Sequence, residues 1–163
     1  MSEATFRRED GFVIGALAFE LAAAPGVVWR AMTDSERLAS WLAPGRIEPK
    51  VGGRVRLDFE ASGTVIDCEV SAFEAGRLAA FSWSQPGEPT RPVRWELAAE
   101  GAGARLTITV STPVGEDAAK ACAGWAAHAS MLEAALRGAP IPFPFERFKS
   151  VREVFGPALK DLA

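Results

Sequence analysis

From Phe12 onward, apolar and polar residues alternate in short segments cut by glycine. Leu17, Phe19 and Leu21 share one face. So do Val55, Leu57 and Phe59, then Ile66, Cys68 and Val70, then Val93, Trp95 and Leu97, and finally Leu106, Ile108 and Val110. A period of two marks a half-buried strand. Gly52-Gly53, Ser62-Gly63, Glu74-Ala75-Gly76 and Gly101-Ala102-Gly103 lie between the segments. Strands separated by such turns pair as antiparallel neighbours. Leu78–Trp83 is a further strand segment, and Arg46–Val51 fits a short edge strand, where Pro49 is tolerated. The pattern predicts one antiparallel sheet of about seven strands.

After Pro113 the period lengthens. Trp125, His128, Ala129, Leu132 and Leu136 fall on one helical stripe, which predicts a long helix over 116–137. Gly138 suits the position just past its end, and Pro140 forbids continuation. Two short helices are expected after the first strand. One covers 25–32 with Pro25 at its start, and one covers 34–42 behind a capping box of Thr33 and Glu36. An apolar sheet face needs a cover, and only the long helix is long enough to supply it. The fold class is therefore α+β, a curved antiparallel sheet around a long C-terminal helix. Sheet curvature leaves an apolar cavity between the two.

Composition narrows the chemistry. The 163 residues include one His, no Tyr, two Cys, ten Phe and five Trp. Neither a four-cysteine nor a two-cysteine, two-histidine zinc set can be assembled, so no metal is expected. Gly101-Ala102-Gly103 lacks the rest of any phosphate-binding loop, and no cofactor is expected. A net charge of -3 gives no support for a nucleic-acid or anionic-membrane partner. Arg46, Lys50, Arg54 and Arg56 read as a solvated strand face. The acidic start, Met1 to Asp10, argues against an export signal. Glu20 and Pro25 break the most apolar stretch, Phe12–Trp29. The expectation is a cytoplasmic protein whose isolated Cys68 and Cys122 are reduced, buried thiols.

His128 is the one acid–base candidate, since its helical position faces the sheet. Three roles stay open for it: a structural hydrogen bond, a polar ligand contact, or general acid–base catalysis. Trp83 and Trp95 are expected to point inward, either as packing or as pocket wall. The candidate ligand contacts are Phe59, Ile66, Cys68, Phe81, Trp83, Trp95, Ile108, Trp125, His128 and Leu132. Asp67 and Glu69 form no convincing catalytic pair, being on the face opposite Ile66 and Cys68.

The segment Ala24-Pro25-Gly26-Val27-Val28-Trp29-Arg30-Ala31-Met32-Thr33-Asp34 resembles the entry motif of the START-like, or SRPBCC, superfamily. It is most similar to the branch named after the activator of the heat-shock-protein-90 ATPase. Leu38, Trp41-Leu42 and Pro44 follow in the expected order, as do Gly52-Gly53, Gly63-Thr64-Val65, Arg77-Leu78 to Trp83, Gly103 to Thr109, and Gly124-Trp125 with Leu132. The resemblance spans residues 12–137. Ser111 stands where such proteins often carry a His. The resemblance implies a helix-grip fold like that of the birch-pollen allergen, and a cavity that holds a small hydrophobic or aromatic molecule. It also admits a cyclase- or hydrolase-type enzyme using His128, or an interaction protein of the chaperone-activator kind. Nothing in the residues themselves demonstrates catalysis. Residues 1–137 are expected to form the domain. The Phe-rich tail, 138–163, in which Phe145, Phe148, Lys149 and Arg152 suggest a helical turn, would pack on it or at a dimer contact, giving a monomer or a homodimer.

Overall fold

The computed structural model describes residues 1–162. Nine strands form two sheets. β1 (Glu3–Glu9), β2 (Phe12–Leu21), β6 (Ala72–Glu74), β7 (Leu78–Ser82), β8 (Pro92–Glu100) and β9 (Gly103–Pro113) form one, in the order β1-β2-β9-β8-β7-β6. β3 (Gly45–Ile47), β4 (Arg54–Phe59) and β5 (Thr64–Glu69) form the other. Every strand pair is antiparallel. Two backbone bonds carry one sheet into the other, from Asp67 N to Ser84 O at 3.1 Å and from Ser71 N to Ala80 O at 2.8 Å.

The alternation fixes which face is inside. Along β9 the residues Ala104, Leu106, Ile108, Val110 and Thr112 are all buried, while their neighbours are half-exposed. Val93, Trp95 and Leu97 do the same on β8. The long helix α2 (Ala118–Leu136) lies over this face, with Cys122, Trp125, Ala129 and Leu132 buried beneath it. α1 (Pro25–Thr33) closes one end. Together these elements are the expected helix-grip arrangement.

Three expectations need correction. Among the described residues the strands number nine in two sheets, where about seven in one sheet were expected. β1 escapes the period-two pattern because only Ala4 and Phe6 are even half-buried. Its partner register, Glu9 against Phe12, leaves Asp10-Gly11 as a two-residue turn with φ of 51° and 84°. That turn is of the kind that matches strand twist. The second short helix is only a single turn of 3-10 helix, Leu38–Ser40. The capping box is not made: the Thr33 hydroxyl donates back to the Trp29 carbonyl at 2.8 Å, and Asp34 Oδ1 accepts from Glu36 N at 3.0 Å. An Asx turn thus replaces the helix start. The tail, finally, is more than a helical turn. α3 (Phe145–Lys160) runs through Gly156 and includes Pro157. It packs along α2, burying Val151 and Phe155, and Phe155 meets Phe6 of β1 edge-on at 5.0 Å.

At Gly138 the chain takes φ of 76°, the left-handed turn that ends α2. Gly15 serves a different need. A Cβ there would lie 2.7 Å from Cys122 Sγ and 3.1 Å from the Phe6 ring. Gly15→Ala should therefore destabilise the protein by about 1–3 kcal/mol through overpacking. Adding Cys122→Ala should return part of that loss, because it removes the closest contact. Urea unfolding of the two single variants and the double variant measures this coupling. Strict additivity would mean that the helix does not press on β2 at this point.

Candidate functional site

A cavity of about 640 Å³ opens between the sheet and the N-terminal half of α2. Its helical wall is a single stripe, Lys120, Gly124 and His128 at i, i+4 and i+8, with Ala121 and Trp125 beside it. Val110, Ser111 and Thr112 of β9 and Val93 of β8 form the floor. Phe59, Ser62 and Thr64 border it from the smaller sheet, and Trp83 and Arg91 from the two ends of the β7–β8 connection. Phe143, Phe145 and Phe148 of the tail form the outer wall.

One end of the cavity is aromatic. Trp83 and Trp125 meet edge-on at 4.8 Å, and Phe59 packs on Trp83 at 5.5 Å. Behind them, Trp95 contacts Trp41 at 5.3 Å and Phe81 at 5.2 Å. The indole N–H groups of Trp41 and Trp95 are buried without hydrogen-bond partners. Both indoles pack against other rings, Trp41 on Trp95 and Trp125, and Trp95 on Phe81 and Trp125.

His128 stands among Phe59, Trp125 and Phe143, with ring centroids 5.9, 6.2 and 5.3 Å away. Its Nδ1 donates to the Trp41 carbonyl at 2.8 Å. A carbonyl only accepts, so Nδ1 holds the proton and the lone pair of the neutral ring is on Nε2. Burial pushes the imidazole pKa down, and the Trp41 bond pushes partly back. No carboxylate or hydroxyl among the described residues is hydrogen-bonded to this ring. The structural role is thus filled at Nδ1.

The other end is charged. Arg91 grips Glu116 with a two-pronged hydrogen bond, at 2.7 and 3.1 Å, and Nη1 reaches the Trp83 carbonyl at 3.4 Å. The guanidinium holds the Glu116 carboxyl below its ordinary range. Asp117 caps α2, with Oδ1 accepting from Lys120 N at 2.9 Å. It also pairs with Arg152 of α3. The Lys120 amide, and then Arg152, lower its pKa.

Of the ten residues expected to contact a ligand, Phe59, Trp83, Trp125 and His128 border the cavity. Ile66, Phe81, Trp95, Ile108 and Leu132 are instead buried in the core. Cys68 is half-buried and packs against that core. The reason is volume: four indoles and Phe81 fill the centre of the groove, so space survives only towards one end. Thr112 was missed, although it continues the Leu106, Ile108, Val110 series by two. Lys120 and Gly124 were missed, although they precede His128 at helical spacing. Arg91 and Glu116 are 25 residues apart and no local pattern joins them. Among the described residues, no cluster of ligating side chains could hold a metal ion, and no helix is long and apolar enough to cross a membrane.

A curved antiparallel sheet gripping one long helix over a cavity defines the START-like, SRPBCC class. Within it, the model of the family described as "Activator of Hsp90 ATPase homolog 1-like protein" matches residues 22–137, and the chain belongs to that family. Solved structures agree on the fold. A conserved protein of unknown function from Enterococcus faecalis is 19% identical with a TM-score of 0.83, covering 99% of this chain and 92% of that one. CalU16 from Micromonospora echinospora is 22% identical with a TM-score of 0.78, covering 93% and 94%. DynU16, a protein in the dynemicin biosynthetic locus, is 30% identical with a TM-score of 0.70; the match covers 81% of this chain and 49% of DynU16. No curated protein matches the chain.

The single His makes a clean titration possible. Its folded pKa is depressed, so the unfolded chain takes up the proton first as pH falls. Stability is therefore complete above the ordinary value of 6.5 and declines as pH falls below it towards the folded value. The carboxylates Glu116 and Asp117 act only lower, below their ordinary 4.5 and 3.8. His128→Gln should flatten the slope of unfolding free energy as pH falls below about 6.5. Proton NMR of the imidazole should give an apparent pKa under 6.5. A value above that would contradict the buried, neutral ring.

Proposed function

We propose that this protein is a binding module that holds a small hydrophobic or aromatic molecule in the cavity beside α2. The observation that carries the reading is the cavity itself, about 640 Å³ and walled by Phe59, Trp83, Trp125, Phe143 and Phe148. Pockets of about 300–1,000 Å³ with apolar walls and a few polar groups suit small organic ligands. Gly124 supports the reading. A mid-helix glycine costs about 1 kcal/mol relative to Ala. A Cβ at this position would meet nothing within 4 Å, so packing does not require the glycine. Its effect is to keep the cavity wide at the middle of the helical stripe.

Binding is favoured over catalysis by the partners of the ionisable groups. His128 is oriented by a carbonyl, and Glu116 and Asp117 are held in ion pairs with Arg91 and Arg152. None forms the acid–base pair that a cyclase or hydrolase mechanism would use. The likeness to a protein of a biosynthetic locus is consistent with a small organic molecule as occupant.

The dye 8-anilinonaphthalene-1-sulfonate tests this. Native protein should bind it at one site with enhanced fluorescence. Gly124→Leu, which projects a side chain into the cavity, should weaken binding at least about tenfold while leaving the fold intact. Gly124→Ala should keep binding and raise stability by up to about 1 kcal/mol. Equal dye affinity in wild type and the Leu variant would move the site elsewhere. No binding of the dye by the native protein would remove the reading.

A further inference from the structure

At the aromatic end of the cavity, which Ser62 and Thr64 also border, His128 offers a ligand an acceptor with a fixed sense. The hydrogen bond from Nδ1 to the Trp41 carbonyl is the only one that the His128 ring makes among the described residues. It leaves Nε2 as an acceptor on a ring that borders the cavity. Phe59, Trp125 and Phe143 pack around that ring, and none of them donates a hydrogen bond to it. Of the charged groups, Arg91 comes nearest, and it is engaged by Glu116 and the Trp83 carbonyl. Lys120 is eight residues back along α2, or about 12 Å at the helical rise, and Glu116 and Asp117 precede it.

We infer that the ligand is an aromatic compound with a free hydroxyl group, inserted hydroxyl-first so that its O–H donates to His128 Nε2. This rests on the proposed binding role of the cavity and adds the ligand's chemical class. A neutral donor is the polar group that matches Nε2. A carboxylate or an ether oxygen would set lone pair against lone pair. An ammonium could donate, but no free carboxylate at that end offsets the loss of its hydration. A hydroxyl on an aromatic ring is a strong donor, and its ring meets Phe59, Phe143 and Trp125 edge to face.

The test compares 2-naphthol with 2-methoxynaphthalene, which has the same ring and oxygen but no donor. By calorimetry on the full chain, wild type should bind the naphthol at least about tenfold tighter, since the ether leaves a buried acceptor unpaired. His128→Phe should bind both about equally. Equal affinities in wild type would overturn the inference and leave the apolar pocket standing. Failure of both compounds to bind would instead count against the pocket itself. If the variant does not fold, nitrogen NMR of the single wild-type His decides. The unprotonated Nε2 resonance should shift on adding 2-naphthol and stay in place with the ether. A proton found on Nε2 in the free protein would overturn the inference outright.

Discussion

The seating of α2 on β2 sets everything else in this molecule. At Gly15 the strand carries no side chain, and the thiol of Cys122 comes to within what would be 2.7 Å of a Cβ. That contact fixes how deep the helix lies. One turn later Trp125 meets Trp83 and Trp95, and after another His128 reaches the Trp41 carbonyl. Gly124 falls on the other flank, over open space. A single helix is thus pressed against the sheet along one line and stands off it along another. The thiol is a packing group here: burial pushes its pKa up to about 12, so it is not the thiolate that reactive cysteines require.

Most of the fold could be read from residue order. Alternation in β4, β5, β8 and β9 arises because one face is buried and the other wet, and that asymmetry is written directly into composition. β1 lacks it, because it is an edge strand with only Ala4 and Phe6 turned towards cover. The segment after Asp34 misled for another reason. Thr33 and Glu36 have the right spacing for a cap, yet the Thr33 hydroxyl has a nearer acceptor one turn back in α1. Local motifs compete for the same atoms, and spacing alone does not say which wins.

The site was legible only in part. His128 and Trp125 fall on the inward stripe of a helix, so their exposure to the groove follows from periodicity. Which inward residues touch space, and which touch each other, depends on the volumes of side chains brought together from five elements. Trp83 and Trp95 illustrate this. Both alternate inward, but Trp95 is enclosed by Trp41, Phe81 and Trp125, and only Trp83 reaches the opening. The charged rim was beyond reach for a related reason. Arg91 and Glu116 meet only because β8 and β9 bring the two ends of a hairpin beside each other. As half-exposed pairs, these contacts contribute little to stability. Their effect is geometric, since Arg91 also reaches the Trp83 carbonyl.

Asp117 holds two structures with one carboxylate. One oxygen caps the first turn of α2, and the other meets Arg152 of α3, the helix whose first turn carries Phe145 and Phe148 of the cavity's outer wall. The two tasks place different demands on the side chain. Ser or Asn could cap the helix but would carry no charge for Arg152. Glu would keep the charge but is a poor cap. Only Asp meets both, so this position has far less freedom to vary than its exposed location on a loop would suggest. Any drift at residue 117 would be felt at once in the start of α2 and in the anchoring of α3.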